Sequence, residues 1–295
     1  MMRKAPTEAE QIAAIIDLAL AEDLGHGDVT SEILVPPELT GRATISAKEA
    51  GIVAGVDIAG RVFLRVDPSV AFHTIARDGT RVQPGAKIAT VSGRVISILN
   101  AERTALNFLQ RLSGIASLTA KYAAEMHGLE TYIADTRKTS PGLRLLEKHA
   151  VSQGGGKNHR LHLGDGILIK DNHLAALRAI GMSLKDIVTK ARENVPRGLK
   201  VEVEVTSIDE AREATKAGAD IIMLDNMSPD DMRRVVKLLK GKVKIEASGG
   251  INLSNVRQAA QTGVDYISIG ALTHSPKALD ISLEFDPSFF KLALL

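Results

Sequence analysis

The segment KVEVEVT, residues 200–206, places two carboxylates on one face of a predicted β-strand. Glu202 and Glu204 alternate with valines, and a period of two residues is the pattern of a strand with one apolar and one polar face. Buried carboxylates are costly unless cations, hydroxyl groups or a metal ion compensate them. The chemistry of this pair therefore depends on whether its face points to solvent or into the protein.

Basic residues cluster around the predicted strands that precede this segment. DTRKTSPGLR and KNHRLHLGDG supply arginine, lysine and histidine side chains, and GILIKD carries a lysine near its end. Cations in excess of the two carboxylates favour an anionic substrate, with the carboxylates placed for sugar hydroxyls or a metal ion. The alternative is an internal salt-bridge network that binds no ligand. The basic side chains are those of Arg137, Lys138, His159, Arg160, His162 and Lys170.

Small residues follow two predicted strands near the C-terminus. EASGGI places Ser248, Gly249 and Gly250 after one strand, and SIGALT places Gly270 after the next. Small residues let backbone N–H groups approach a phosphate, and the loops after the final strands of an α/β barrel are a frequent phosphate site. Two such loops on consecutive strands indicate a phosphorylated ligand.

Strands and helices that alternate after residue 128 position these side chains. Such alternation predicts a parallel sheet with right-handed connections. One face of each strand is aliphatic and the other becomes polar toward its C-terminal end, whereas an open sheet covered by helices would be apolar on both faces. The pattern predicts an α/β barrel with Glu202 and Glu204 directed inward, Glu204 nearer the mouth. The predicted strands are TYIADT, GILIKD, KVEVEV, DIIMLD, VKIEAS and DYISIG, and the predicted helices are 142–151, 174–194, 207–217, 229–240 and 252–262.

The first part of the chain predicts a smaller α+β domain. TEAE has capping-box spacing at the start of a helix over 7–22, and a short helix is predicted over Val56–Val66. Strands are predicted at RATISAKE, AFHTIAR and AKIATVSG. A long helix predicted over 97–127 has a weak point at Gly114, where we place the domain boundary. The predicted domains are 1–114 and 115–280, with a tail, 281–295, that packs back on a domain.

The composition excludes several classes of function. The 295 residues carry 37 basic and 35 acidic side chains, a balance that argues against a nucleic-acid partner held by bulk charge. The absence of cysteine excludes disulfides, thiolate nucleophiles and cysteine-ligated zinc. No apolar run approaches a membrane span, and the N-terminus lacks the apolar core of a signal peptide. We therefore expect a cytoplasmic protein without a membrane partner.

Several motifs occur in order along nearly the whole chain: EDLGHGDVT, AERTALNFLQRLSGIA, DTRKTSPGLR, GGGKNHR, ILIKDNH, VEVEV, MLDN, SGGI and SIG. Together they resemble the quinolinate phosphoribosyltransferases, also called nicotinate-nucleotide pyrophosphorylases (carboxylating). The resemblance implies an incomplete parallel α/β barrel preceded by a smaller α+β sandwich domain. It implies that quinolinate and phosphoribosyl pyrophosphate react, with Mg²⁺ as cofactor, to give nicotinate mononucleotide, pyrophosphate and carbon dioxide. The implied assembly is a homodimer with shared active sites, and whether the dimers assemble further into a hexamer is left open.

The resemblance also implies roles for individual residues. Arg103 would cross the dimer interface into the partner's site, although the sequence alone makes it a surface charge on the long helix. Glu204 and Asp225 would meet the ribose hydroxyls and Mg²⁺. Lys138 and Lys170 would serve the pyrophosphate, and these four residues form the predicted catalytic set. The quinolinate carboxylates would meet Arg137, His159, Arg160 and Lys170, the 5′-phosphate would meet Ser248, Gly249, Gly250, Ser268, Ile269 and Gly270, and Thr136 completes the predicted substrate-binding residues.

Three other functions fit parts of the pattern. A barrel aldolase acting on a sugar phosphate would use Lys170 as a Schiff-base amine, which borohydride would trap. A non-catalytic protein that binds a phosphorylated ligand would share the glycine loops but form no product. Paralogues linked to molybdenum transport share the outline of the motifs.

Overall fold

A computed structural model of the chain describes residues 6–292. The helices are α1 (Glu8–Leu24), α2 (Val29–Leu34), α3 (Val56–Val66), α4 (Val95–Glu125), α5 (Arg144–Gln153), α6 (Asp171–Arg178), α7 (Leu184–Asn194), α8 (Ile208–Lys216), α9 (Pro229–Leu239), α10 (Val256–Ala260) and α11 (Ala271–His274). The strands are β1 (Leu39–Ala47), β2 (Gly51–Ile52), β3 (Ala71–Thr74), β4 (Arg81–Val82), β5 (Lys87–Arg94), β6 (Tyr132–Ala134), β7 (Ile167–Ile169), β8 (Val201–Val205), β9 (Ile221–Asp225), β10 (Lys244–Ser248), β11 (Tyr266–Ser268), β12 (Ile281–Phe285) and β13 (Lys291–Leu292).

The chain divides into two units, of which the first is made of three separate segments of the sequence. The first unit contains the residues up to Leu118, Ser140–Gly155 and the segment from Ser275 onward. The second unit contains Thr119–Thr139 and Gly156–His274. The sequence pattern assigned α5 to the barrel because it lies between two barrel strands in the chain, whereas the structure groups α5 with the first unit.

Side-chain contacts explain why α5 belongs to the first unit. Glu147 on α5 is fully buried, and it accepts a hydrogen bond from Arg111 Nε on α4 at 2.9 Å. Arg111 Nη2 also donates to Ser140 Oγ at 2.7 Å. His149 Nε2 lies 2.7 Å from the Asp78 carboxylate. Breaking such a buried pair would leave an uncompensated charge, so these contacts tie α5 to the first unit.

The second unit contains a six-stranded parallel sheet with the strand order β6-β11-β10-β9-β8-β7. The first strand of the unit, β6, pairs with the last, β11, while β6 and β7 form no ladder with each other in the described part of the chain. Side chains from all these strands or the loops that follow them line one cavity, so the sheet curves around an interior. The unit is an α/β barrel open between β6 and β7, as the predicted fold class requires.

Strand register confirms the predicted inward face. Glu202 pairs with Ile221, and Glu204 pairs with Met223, on the neighbouring strand β9. The alternate residues Val201, Val203 and Val205 are at most 1% exposed and form the opposite, apolar face. Successive side chains of a β-strand point to opposite faces. Since Glu204 lines the cavity, Glu202 on the same face also points to the interior.

The first unit contains an antiparallel sheet with the order β12-β1-β5-β3, and β13 also pairs with β1. The C-terminal strand β12 pairs antiparallel with β1 over Ala43–Ala47, so the tail returns to the N-terminal sheet. The N-terminal helix α1 has the capping box that TEAE predicts, since Thr7 and Glu10 exchange side-chain and backbone hydrogen bonds.

The long helix predicted over 97–127 is confirmed as α4, whereas the helix predicted over 174–194 was wrong. Helix α4 continues through Gly114, because that glycine is needed for close packing: a Cβ atom there would lie 2.2 Å from the carbonyl oxygen of Lys277. The single helix predicted over 174–194 is α6 followed by α7, and Gly181 between them has φ +86°, a left-handed conformation that interrupts a helix. Over residues 6–292, no helix is both long enough and apolar enough to cross a membrane.

Candidate active site

A cavity of about 680 Å³ lies at the carboxyl ends of the barrel strands. Almost every predicted site residue lines it. The exception is Arg103, which is exposed on α4 in the first unit. Those in the cavity are Thr136, Arg137, Lys138, His159, Arg160, Lys170, Glu204, Asp225, Ser248, Gly249, Gly250, Ser268, Ile269 and Gly270.

Two half-buried arginines supply positive charge to the cavity. The Nε atoms of Arg137 and Arg160 are buried and have no hydrogen-bond partner within residues 6–292. Arg160 Nη1 donates to the carbonyl oxygen of Gly166 at 3.0 Å, which holds one end of the guanidinium. Burial lowers the pKa of Arg160, and neighbouring Arg137 acts in the same direction. Each guanidinium can donate two parallel hydrogen bonds to a carboxylate or a phosphate. Two adjacent guanidinium groups with unused donors therefore fit an anionic ligand of this kind.

The predicted cation His162 does not belong to this group. Its Nδ1 lies 2.6 Å from Asp165, and its side chain is 65% exposed. It caps the short 3₁₀ turn Leu163–Asp165 that precedes β7, and it does not line the cavity. The KNHRLHL pattern could not distinguish it from His159, because both histidines fall in a segment without strand or helix periodicity.

Glu204 and Asp225 lie at the mouth, at the ends of β8 and β9. Glu204 Oε2 is 3.6 Å from Lys170 Nζ. Burial raises the pKa of Glu204, the Lys170 charge opposes this, and the negative charge of Asp225 adds to the rise. Two carboxylates that repel each other beside an open, polar cavity fit a divalent cation, which prefers oxygen ligands.

Close packing explains why glycines occur in the loops after β10 and β11, the loops predicted to bind a phosphate. A Cβ atom on Gly249 would lie 2.5 Å from the side chain of Asn226, and Gly249 itself has φ +86°. A Cβ atom on Gly270 would lie 2.8 Å from Lys138 Cδ. Thr273 Oγ1 donates to the Lys138 carbonyl oxygen at 2.8 Å, which fixes the loop after β6 against the loop after β11. Ser268 Oγ is buried without a partner in the described chain, so this loop also holds an unused hydroxyl.

His159 lines the cavity and contacts two buried carboxylates, of which only that of Glu246 also lines it. Its segment lies beside β6, since Lys157 forms a parallel bridge with Ala134 and the His159 N–H donates to Asp135 Oδ1 at 2.7 Å. The His159 Nε2 atom is 3.1 Å from Glu202 Oε2 and 3.5 Å from Glu246 Oε2. Burial disfavours a charged ring, whereas the hydrogen bonds to Glu202 and Glu246 act in the opposite direction and raise the pKa of His159.

Sequence reasoning identified Glu202 as a deeper carboxylate paired inside the barrel, but it did not identify the partner. It also missed Glu246, Asn226 and His274, all of which line the cavity. A signal for Glu246 was present, because it shares the inward face of VKIEAS with Ser248. Its partner could not be predicted, since His159 is 87 residues away in the chain and lies in an irregular segment.

Fold and cavity together define an α/β-barrel protein that binds anionic, phosphorylated ligands at the carboxyl ends of its strands. Two family models match this chain, the N-terminal domain of quinolinate phosphoribosyl transferase over residues 28–113 and its C-terminal domain over residues 115–284. The chain therefore belongs to the quinolinate phosphoribosyltransferase family. Its activity is the transfer of phosphoribosyl to quinolinate, which produces nicotinate mononucleotide in NAD biosynthesis.

Individual relatives agree with this family. The chain is 46% identical to quinolinate phosphoribosyltransferase [decarboxylating] 2, mitochondrial, from Nicotiana glauca, over 92% of this chain and 81% of that protein. It is 44% identical to a probable nicotinate-nucleotide pyrophosphorylase [carboxylating] from Bacillus subtilis, over 93% of each. The structure of the nicotinate-nucleotide pyrophosphorylase from Francisella tularensis matches with 39% identity and a TM-score of 0.88, over 97% of this chain and 99% of that one. Family membership disfavours the aldolase, the simple binding protein and the molybdenum-linked paralogue.

Proposed function

We propose that the barrel cavity binds quinolinate and phosphoribosyl pyrophosphate together and carries out both the transfer and the decarboxylation. In the transfer, the pyridine nitrogen forms a bond to C1′ of the ribose, and the bond from C1′ to the pyrophosphate oxygen breaks. In the decarboxylation, the bond from C2 to its carboxylate breaks, carbon dioxide leaves, and C2 takes up a proton. The observation that carries this proposal is a pair of half-buried arginines, each with a buried Nε that has no partner within residues 6–292, beside glycine loops and two carboxylates.

Quinolinate is a dianion, and Arg137 and Arg160 suit its two carboxylates. A planar guanidinium donates two parallel hydrogen bonds to a carboxylate, and burial strengthens the interaction because water competes less. Lys170 and Thr136 line the same cavity and complete this part of the site. Holding both carboxylates orients the ring nitrogen toward the ribose, which is an effect of positioning rather than of acid–base chemistry.

Phosphoribosyl pyrophosphate fits the opposite side of the cavity. The 5′-phosphate would bind the backbone of Ser248–Gly250 and of Ser268–Gly270, where small residues allow close approach. Lys138 and Lys170 would bind the pyrophosphate. Glu204 and Asp225 would hold Mg²⁺ and the ribose hydroxyls, and their charge would stabilise positive character that develops at C1′. When bound, Mg²⁺ neutralises charge on the departing pyrophosphate.

The decarboxylation needs no additional cofactor, by the following chemistry. Once the pyridine nitrogen is alkylated it carries a positive charge, which stabilises the electron pair left at C2 when carbon dioxide departs. The protein therefore contributes orientation of the C2 carboxylate and exclusion of competing reactions. Arg137 and Arg160 hold that group until the carbon–nitrogen bond has formed.

A second copy of the chain would complete the site. Arg103 is exposed on α4, and the family resemblance directs it into the site of the other subunit of a homodimer. In a C₂ dimer this contact occurs twice, so each subunit supplies a cation to its partner. A cytoplasmic location remains a prediction from the sequence.

The proposed reaction is tested with the purified chain, quinolinate, phosphoribosyl pyrophosphate and Mg²⁺. We expect nicotinate mononucleotide, pyrophosphate and carbon dioxide in equal amounts, the last followed with quinolinate labelled in the C2 carboxyl group. Nicotinate in place of quinolinate is the matched control, because it lacks the C2 carboxylate. Pyrophosphate release without carbon dioxide, or equal rates with nicotinate, would contradict the proposal.

A further inference from the structure

Glu202 and Glu246 lie two residues before Glu204 and Ser248 on the inward faces of β8 and β10, and Glu246 lines the cavity. They are 3% and 2% exposed. Together with His159 they also border a second cavity of about 750 Å³, which opens at the other end of the barrel. The cluster of His159, Glu202 and Glu246 is therefore the partition between the site and that cavity.

Hydrogen bonds hold the His159 ring from both nitrogens. On one side Nε2 contacts the two carboxylates, at 3.1 Å and 3.5 Å. On the other side Nδ1 accepts the backbone N–H of Arg160 at 2.8 Å. Because Nδ1 accepts a hydrogen bond it carries no proton, so the single proton of the neutral ring is on Nε2, where it is donated to the carboxylates. The ring thus connects the carboxylates to the backbone of Arg160.

The two buried carboxylates of the cluster are not needed to fill its volume. One donor, Nε2–H, faces two buried carboxylates, and the Oε1 atoms of Glu202 and Glu246 have no partner within the described chain. Burial and the neighbouring charge of Glu246 raise the pKa of Glu202, which shows that the arrangement is costly. Aliphatic side chains would fill the same volume at lower cost. Such a cost at a site of ligand binding indicates a functional arrangement.

We propose that Glu246, together with Glu202, is a positioning residue for quinolinate: the two carboxylates orient the His159 ring, and the ring holds the Arg160 backbone so that the guanidinium meets a substrate carboxylate. The inference rests on the proposed role of Arg160 in quinolinate binding. It gives a role in substrate binding to Glu202, which the sequence analysis only placed deeper in the barrel than Glu204. It also changes the expected role of His159, since both ring nitrogens already have protein partners.

Glu246→Gln and Glu202→Gln test the proposal, because each substitution keeps the size of the side chain and one acceptor oxygen but removes the charge. We expect each variant to raise the KM for quinolinate at least about tenfold, while kcat and the KM for phosphoribosyl pyrophosphate stay within about twofold. Glu193→Gln, an exposed position on α7, is the matched control and should change none of these constants. An unchanged KM for quinolinate in both variants overturns the proposal.

A double-mutant cycle separates positioning from a general structural role. In a His159→Asn background the ring is absent, so adding Glu246→Gln should raise the KM for quinolinate less than about twofold further. If the full tenfold effect persists there, Glu246 does not act through His159. Thermal unfolding of every variant checks that the barrel remains folded.

Two measurements that do not use the glutamate variants keep the proposal testable if those variants fail to fold. Nitrogen-15 NMR of labelled histidine should show a proton on His159 Nε2, assigned by its loss in His159→Asn, and an unprotonated Nε2 overturns the proposal. One equivalent of Zn²⁺ should leave the unfolding temperature unchanged. Stabilisation that His159→Asn abolishes would mean that the cluster holds a metal ion and would also overturn it. If the wild-type chain does not turn over quinolinate, the proposed function itself fails, and the NMR result shows separately whether the ring is held.

Discussion

Arg160→Lys should weaken quinolinate binding while the charge of the site is retained. Arg160 uses Nη1 to contact the Gly166 carbonyl oxygen at 3.0 Å, and its buried Nε has no partner within residues 6–292. One guanidinium can therefore be held by the protein and still donate to a ligand. A lysine ammonium is a single point of charge and cannot do both in the same geometry.

The magnitude follows from the hydrogen bonds that are lost. A hydrogen bond to a charged group contributes roughly 1.5–3 kcal/mol. Loss of one such bond to a quinolinate carboxylate corresponds to a decrease in affinity of about 10-fold to 150-fold, at 1.4 kcal/mol per factor of ten. We expect the KM for quinolinate to rise by this factor and the KM for phosphoribosyl pyrophosphate to change little.

Steady-state kinetics with each substrate varied in turn measure this effect. Arg212→Lys, an exposed arginine on α8 that pairs with Asp209, is the matched control and should behave as the wild type does. Thermal unfolding should be similar for both variants. An unchanged KM for quinolinate in Arg160→Lys would refute the assignment of the Arg160 guanidinium to a quinolinate carboxylate. An equal rise in the KM values for both substrates would indicate a general disturbance of the cavity.

Four further outcomes are expected. Glu204→Gln should lower kcat at least about 100-fold with little change in thermal unfolding, because charge stabilisation at the reacting centre has this size; an equal loss of stability would contradict its place at the mouth. Mixing Arg103→Ala subunits with Lys170→Ala subunits should restore activity at one site per heterodimer after verified subunit exchange, and no recovery would show that Arg103 does not serve a partner. The pKa of His149 is raised, because its hydrogen bond to Asp78 outweighs the effect of burial. This pair therefore stabilises the fold fully below about pH 6.5, and its contribution decreases as the pH rises through the raised pKa. The difference in unfolding free energy between the wild type and His149→Gln should shrink from pH 6 to pH 9, and a constant difference would argue against the ion pair. Gly114→Ala should destabilise the first unit by about 1–3 kcal/mol in denaturant unfolding, because its Cβ would meet the Lys277 carbonyl, and a neutral effect would show that α4 can shift.

Local alternation was sufficient to predict the barrel and most of its cavity. Glu204, Asp225 and Ser248 each stand at the C-terminal end of a strand on its polar face, and the structure places them in one cavity. The inference works because a strand has a period of two residues, so the sequence alone divides its side chains between two faces. The same logic identified the small residues after β10 and β11, since a close backbone approach requires glycine at particular positions.

Contacts between segments that are distant in the sequence decided the division into units and the packing around Gly114. The division of the chain depends on Arg111, Glu147 and β12, which are brought together by folding across long stretches of sequence. No local pattern reports that the Lys277 carbonyl lies against Gly114, and so a glycine required for packing was interpreted as a weak point of the helix.

The sequence determined which face of each strand carries the chemistry, because that property is repeated every second residue along the chain. Only the tertiary structure decided which side chains from different strands and loops meet. His159 has no periodic context, yet it reaches Glu202 and Glu246 because its segment lies beside β6 and its N–H is held by Asp135. A pairing of this kind depends on the path of the backbone between strands, and hydrophobic periodicity carries no information about that path.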